Sequence, residues 1–169
     1  MGSGRVPAEY WGLLEEYVSL VQRHFGERLW SVCLFGSVAR GEEEAESDID
    51  VLVVAEGLPR DVGMRVRGTN WIHLKLRETE AYRSLRALGR NTLISDVFLT
   101  PEEVKQHPPI LLDIVEDGVI LHDKGNFLRN TLETLFERLR ELGARKVKTR
   151  RGYYWILKPD AKPSEVVKI

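Results

Sequence analysis

Apolar and polar positions change period several times along this chain, and each change marks an element. Tyr10, Leu13, Leu14, Tyr17, Val18 and Val21 recur at helical spacing. Pro7 suits a first helical turn and Gly26 a stop, so the spacing predicts an amphipathic helix over 7–25. Residues 29–35 form a nearly continuous apolar run that ends at Gly36 and reads as a buried strand, and 49–54 repeats that signature. Between them, Ser37 to Arg40 is long enough to open a short helix. Gly57-Leu58-Pro59 breaks the chain. Residues 60–88 read as mostly helical, interrupted at Gly63 and Gly68 and ended by Gly89.

A third strand is expected over 92–99. Thr100-Pro101-Glu102-Glu103 then has the form of a capped helix start. Pro108-Pro109 opens another short helix, and 119–122 is a short strand. Over 126–142 a helix is expected, with Phe127, Leu128, Leu132, Leu135, Phe136 and Leu139 on one stripe and Gly143 as its stop. Residues 144–148 and 153–158 read as a hairpin around Gly152. In that hairpin, alternation sets Val147 against the core and turns Lys146 and Lys148 to solvent. Strands and helices alternate, so the fold class is α/β or α+β. The length of 169 residues fits a single domain. Residues 1–123 read as its core and 124–169 as an appended helix and hairpin.

Composition removes several functional classes. The formal net charge of −1 gives no general attraction to nucleic acid or membrane. Its distribution is uneven: seven acids and no Lys or Arg lie between Glu42 and Glu56, whereas five of the seven residues from Arg145 to Arg151 are basic. Such asymmetry can mark two surfaces with different partners. The basic hairpin, with Trp155 beside it, is one candidate surface for an acceptor. The acidic link 42–46 reads as a solvated loop. Cys33 is the only cysteine, so no internal disulfide exists, and a reducing cytoplasm is the expected location. No run of about 18 apolar residues could cross a bilayer. The four histidines are scattered without zinc-ligand spacing.

The chemistry concentrates in Phe35-Gly-Ser-Val-Ala-Arg-Gly41 and Ser47-Asp-Ile-Asp-Val-Leu-Val53. Gly36 lets the backbone turn and approach a ligand closely. The start of a following helix would offer free N–H groups to an anion, with the Ser37 hydroxyl and the Arg40 charge beside it. Asp48 and Asp50 are two residues apart at a strand start, so both face one side, about 7 Å apart along the strand. Two carboxylates so placed repel each other unless a cation lies between them, and Mg²⁺ commonly combines one or two carboxylates with substrate phosphates. Two rival phosphate motifs fail. Glu42 stands where a P-loop needs lysine, and no strand precedes Gly2 and Gly4 to make a dinucleotide fingerprint. The Gly-x-Ser-x-Gly elbow of an acyl-transfer serine is also absent around Ser37.

At Gly36-Ser37, ten residues, then Asp48-x-Asp50, the chain resembles the DNA polymerase β nucleotidyltransferase superfamily, in its short minimal-nucleotidyltransferase branch. The ending around 153–160 is similar to short archaeal members. The resemblance implies a small mixed sheet backed by helices, with the site at the strand ends. It implies a third carboxylate on a later strand, and Asp96 in Leu93-Ile-Ser-Asp-Val-Phe-Leu99 is the candidate. It implies transfer of an NMP from an NTP, ATP being the first expectation, to an acceptor hydroxyl with release of pyrophosphate. Two Mg²⁺ ions would be held by Asp48, Asp50 and Asp96, and the phosphates by Gly36, Ser37 and Arg40. The acceptor stays open between a HEPN-type protein and RNA, and homo-oligomerisation stays open too. The competing expectation is a nucleotide-binding antitoxin or regulatory partner of a HEPN-type protein, with or without transfer.

Overall fold

The computed structural model describes residues 6–150, 152–162 and 165–169. Its centre is a four-stranded mixed sheet of β1 (Leu29–Phe35), β2 (Ile49–Ala55), β3 (Ile94–Leu99) and β4 (Val119–Asp123), in the order β3-β2-β1-β4. β1 runs antiparallel to β2 and β4, whereas β2 and β3 are parallel. A parallel pair needs a crossover, and here two helices supply it: α3 (Val62–Leu76) and α4 (Glu80–Ala87).

β1 and β2 alternate between two apolar faces, so both sides of the sheet are covered. On one side α1 (Trp11–Phe25), α3 and α4 pack Tyr17, Val21, Ile72 and Leu85 against Val32, Ile49, Val51, Val53, Ile94 and Phe98. On the other, the short helices α5 (Pro101–Lys105) and α6 (Ile110–Ile114) and the long α7 (Phe127–Glu141) set Val104, Leu111, Leu128, Leu132 and Leu135 against Cys33, Leu52 and Val54. Cys33 is fully buried, and that burial pushes its thiol pKa far up, which makes it an inert core residue.

The elements follow the sequence pattern closely, with three differences. The 60–88 region is broken at 77–79, not at Gly63 or Gly68. Asp61 caps α3 through Met64 N–H, and Thr79 caps α4 through Tyr82 N–H while its hydroxyl donates to the Leu76 carbonyl. Side-chain caps therefore override the glycines as punctuation. On α7 the buried stripe is Leu128, Leu132, Leu135 and Leu139, and Phe136 lies off it, 41% exposed.

The hairpin is the third difference. β5 (Arg145–Thr149) pairs with β6 (Gly152–Ile156), placing Lys146 opposite Trp155 and Lys148 opposite Tyr153. Lys146 on that face turns toward the body, contrary to the expectation that it points to solvent, whereas Lys148 is exposed as expected. Lys146 Nζ lies 2.6 Å from Asp117 and 3.2 Å from Glu116, Lys148 Nζ donates to Glu42, and Trp155 Nε1 donates to the Leu112 carbonyl. Carboxylates on the body thus accept charges that periodicity alone sends outward.

A buried Arg65 locks the far end of β3. Its guanidinium donates to the carbonyls of Pro59 and Phe98 and makes a bidentate pair with Glu103 at 2.8 and 2.9 Å. Glu103 also closes the capping box with Thr100, so one carboxylate ties α3, β3 and α5 together.

Candidate active site

β1 ends at Phe35, and the next residue turns into the short α2 (Gly36–Arg40) at φ +75°. An L side chain is strained there, and space excludes one as well. A Cβ on Gly36 would lie 2.2 Å from Oδ2 of Asp50. Register explains the closeness, because Phe35 is the cross-strand partner of Asp50. Gly36 and Asp50 therefore line one cleft at the joined ends of β1 and β2, with Arg40 and Asp113 of α6 on its wall; Ser37 and Asp48 flank them in sequence but do not line it.

Asp50 is half-buried. Burial raises its carboxyl pKa first, the Asp48 charge beside it raises it further, Asp113 adds to this, and Arg40 opposes. Asp48 is exposed and held in place by Asn91, whose Nδ2 donates to Asp48 Oδ1 at 2.7 Å. Asn91 also donates to the Glu46 carbonyl and accepts from Leu93 N–H, so it pins the approach to β2 against the approach to β3. Sequence reading passes over Asn91, because nothing in the pattern links it to Asp48 across 43 residues.

Asp96 is not brought to this pair. In the parallel register, Asp50 lies beside Ser95, and Asp96 lies beside Val51. Registered neighbours share a face, so Asp96 sits on the opposite side of the sheet from Asp50. There its Oδ2 accepts from the Tyr17 hydroxyl at 2.8 Å and lies 2.8 Å from Nε2 of His73. Tyr17 is fully buried; burial, then the Asp96 charge, raise its pKa well above the ordinary phenol value. Strand alternation puts Asp96 on the face of Ile94 and Phe98, and that face is the α1–α3 core. Two helix side chains satisfy its carboxylate there.

Among the described residues no group of three or more His, Cys, Asp or Glu side chains is placed to hold a metal ion. The donor set that is present still fits Mg²⁺. It offers the Asp50 carboxylate, its charge disfavoured by burial and by Asp48 nearby, beside a glycine that leaves room for a further ligand. Mg²⁺ takes its remaining oxygens from water and phosphate.

The acidic link is more than a solvated loop. Glu42 accepts from Arg40 at 2.9 Å, from Lys148 at 2.8 Å and from the Tyr153 hydroxyl at 2.9 Å. Those hydrogen bonds, Lys148 first, then Arg40 and Tyr153, hold its pKa down at about 2. The Tyr153 ring lies under three cations: Lys146 at 4.9 Å, Arg40 at 5.0 Å and Lys148 at 5.4 Å from its centroid. Tyr153 and Lys146 thereby join the wall of the Gly36–Asp50 cleft from the C-terminal hairpin. Glu43 turns inward, its side chain 8% exposed, toward Arg90. Arg151, part of the expected basic surface, lies outside the described residues.

The chain belongs to the nucleotidyltransferase domain family, whose model matches residues 14–122, and it is a nucleotidyltransferase. It is similar to "Putative protein adenylyltransferase MJ1305" of Methanocaldococcus jannaschii, 32% identical over 125 residues, which span 73% of this chain and 78% of that protein. A second protein of that organism, named as the adenylyltransferase MJ0604 with the same qualifier, is 40% identical over 43 residues, or 25% of this chain and 43% of that one. Among solved structures, a toxin–antitoxin crystal structure with AMP-PNP is 19% identical. The match covers 76% of this chain and 91% of that one, with a TM-score of 0.44.

Proposed function

We propose that the chain transfers an NMP from an NTP to an acceptor hydroxyl in the Gly36–Asp50 cleft, releasing pyrophosphate. The observation that carries this reading is the 2.2 Å approach that a Cβ on Gly36 would make to Asp50, because it sets the glycine of the phosphate motif against one carboxylate of the Asp-x-Asp pair. Asp48 and Asp50 hold Mg²⁺ in this reading. When bound, two such ions neutralise phosphate charge and make the acceptor hydroxyl more acidic. Gly36 N–H and the Ser37 hydroxyl bind the distal phosphates. Arg40 gives up its single Nε contact with Glu42 and donates to the phosphate oxygens, for which a guanidinium is suited. Asn91 keeps Asp48 oriented. Asp96 stays outside the metal set. Asp113 is the third carboxylate on the Asp50 side, and it adds negative potential for the cation.

ATP is the nucleotide and a protein hydroxyl the acceptor, a choice supported by the name of the archaeal relative at 32% identity. The resemblance to minimal nucleotidyltransferases makes a HEPN-type protein the first acceptor to supply. The testing experiment incubates the chain with Mg²⁺, each α-labelled NTP and host extract. Label from ATP on a protein, absent with Asp50→Asn, is expected. Label on RNA would replace the protein acceptor, and no incorporation from any NTP would overturn transfer.

A further inference from the structure

A cavity of about 770 Å³ lies on the other side of β3 from Asp50. Its floor is Ile94 and Asp96, and α3, α4 and residues 89–93 wall it. Nothing in the transfer reaction uses its chemistry. Arg77 projects from the end of α3 and Arg86 from α4, and both line it. Neither guanidinium has a hydrogen-bond or ion-pair partner among the described residues. Other arginines of the described surface, Arg23, Arg60 and Arg67 among them, also lack a carboxylate, but Arg77 and Arg86 share one cavity. His73 lines the same space. Asp96, its side chain 8% exposed, fixes the ring through Nε2 and leaves Nδ1 with no partner among the described residues.

We propose that this cavity is a second ligand site that binds a nucleotide-sized phosphate ester. Arg77 and Arg86 clamp the phosphate, and His73, fixed by Asp96, makes a third contact. Guanidinium forks match phosphate oxygens, and unpaired ones sharing a concave site leave that role open. Tyr82, Leu76 and Leu93 give the wall an apolar side against which a sugar or base can lie. The volume is in the range of small-molecule sites, about 300–1,000 Å³. A polyanion such as RNA is disfavoured, because Glu46 lines the cavity and the acidic stretch 42–50 runs past it. Asn91 lines the cavity too, and it holds Asp48, so the two sites share one side chain as a wall. The site does not depend on the transfer reaction.

The test is titration calorimetry on the full chain without divalent metal, using AMP, ribose 5-phosphate and inorganic phosphate as separate probes. AMP is expected to bind, with the Arg77→Ala/Arg86→Ala variant weaker by about tenfold or more and Asp50→Asn unchanged. Both arginines are exposed, so the variant should keep its unfolding midpoint and its Mg²⁺–ATP binding. Equal affinity for ribose 5-phosphate would make the sugar phosphate the ligand, and equal affinity for inorganic phosphate would make it the anion alone; both keep the site. Three results would overturn it: no probe binding up to about 1 mM, equal binding in the double variant, or loss of binding in Asp50→Asn instead. Binding of an RNA oligomer alone, lost in the double variant, would replace the ligand site with a polyanion surface.

Discussion

Gly36 and Asp50 are packed so closely that the smallest side chain on the first would overlap the carboxylate of the second. The contact fixes the carboxylate beside the Gly-Ser turn before any nucleotide arrives. Gly36→Ala faces both the overlap and a positive φ, a strain of about 1–3 kcal/mol. Its unfolding midpoint should fall and Mg²⁺-dependent ATP binding should be lost. Asp50→Ala removes the overlap but not the φ strain. A double-mutant cycle should therefore show Gly36→Ala costing less in the Asp50→Ala background. Equal cost in both backgrounds would mean that the two residues are not in contact.

Asp50→Asn should stabilise the metal-free protein. Burial and Asp48 raise the Asp50 pKa in the fold. A carboxyl with a raised folded pKa binds its proton better folded than unfolded. Its contribution is therefore fully present below the unfolded value, about 3.9, and is lost as pH rises through the folded one. At neutral pH the charged carboxylate thus weighs against the fold, and a neutral amide removes that weight. Chemical denaturation in chelator at pH 7 should show the variant at least as stable as wild type, with a narrower gap at pH 4.

Asp96 has a structural assignment that separates it from the metal pair. Asp96→Ala leaves the buried Tyr17 hydroxyl without its acceptor, and an unsatisfied buried donor costs about 1–3 kcal/mol. Adding Tyr17→Phe should recover part of that loss, and Mg²⁺–ATP affinity should change little in either variant. Loss of nucleotide binding with stability intact would return Asp96 to the metal set.

Nearly all elements, and the closeness of Gly36 to Asp50, were legible in the sequence, because they rest on local spacing. Leu29–Phe35 and Ile49–Ala55 are short, nearly continuous apolar runs rich in β-branched and aromatic residues and bounded by glycine or turn residues, which favours a buried strand. What stayed hidden depends on register and on distant partners. Alternation correctly put Asp96 with Ile94 and Phe98. It could not say which face of β2 those residues join, since that needs the pairing of Val51 with Asp96. Lys146 looks like a solvent residue until Asp117 and Glu116 are placed against it. Asn91 carries no motif at all.

Docking of the hairpin should be acid-sensitive. The Glu42 pKa is depressed to about 2 by Lys148, Arg40 and Tyr153. A depressed carboxylate stabilises above its unfolded pKa, about 4.3, and the contribution is lost as pH falls through the folded value. Between about pH 4 and 2 the link from Glu42 to the hairpin should weaken, more so at high salt because Glu42 is over a third exposed. The indole N–H signal of Trp155 reports on this, since it donates to Leu112. Tyr153→Phe should move the onset of its change to higher pH, and an onset unaffected by that substitution would detach the hairpin from Glu42.

The most direct measurement is ATP affinity with and without Mg²⁺, for wild type and Asp50→Asn. A nucleotide site built on Gly36, Ser37, Asp48 and Asp50 predicts that Mg²⁺ strengthens ATP binding in the wild type and that the substitution removes this gain. ATP binding that is indifferent to Mg²⁺, or a gain that survives Asp50→Asn, would contradict it.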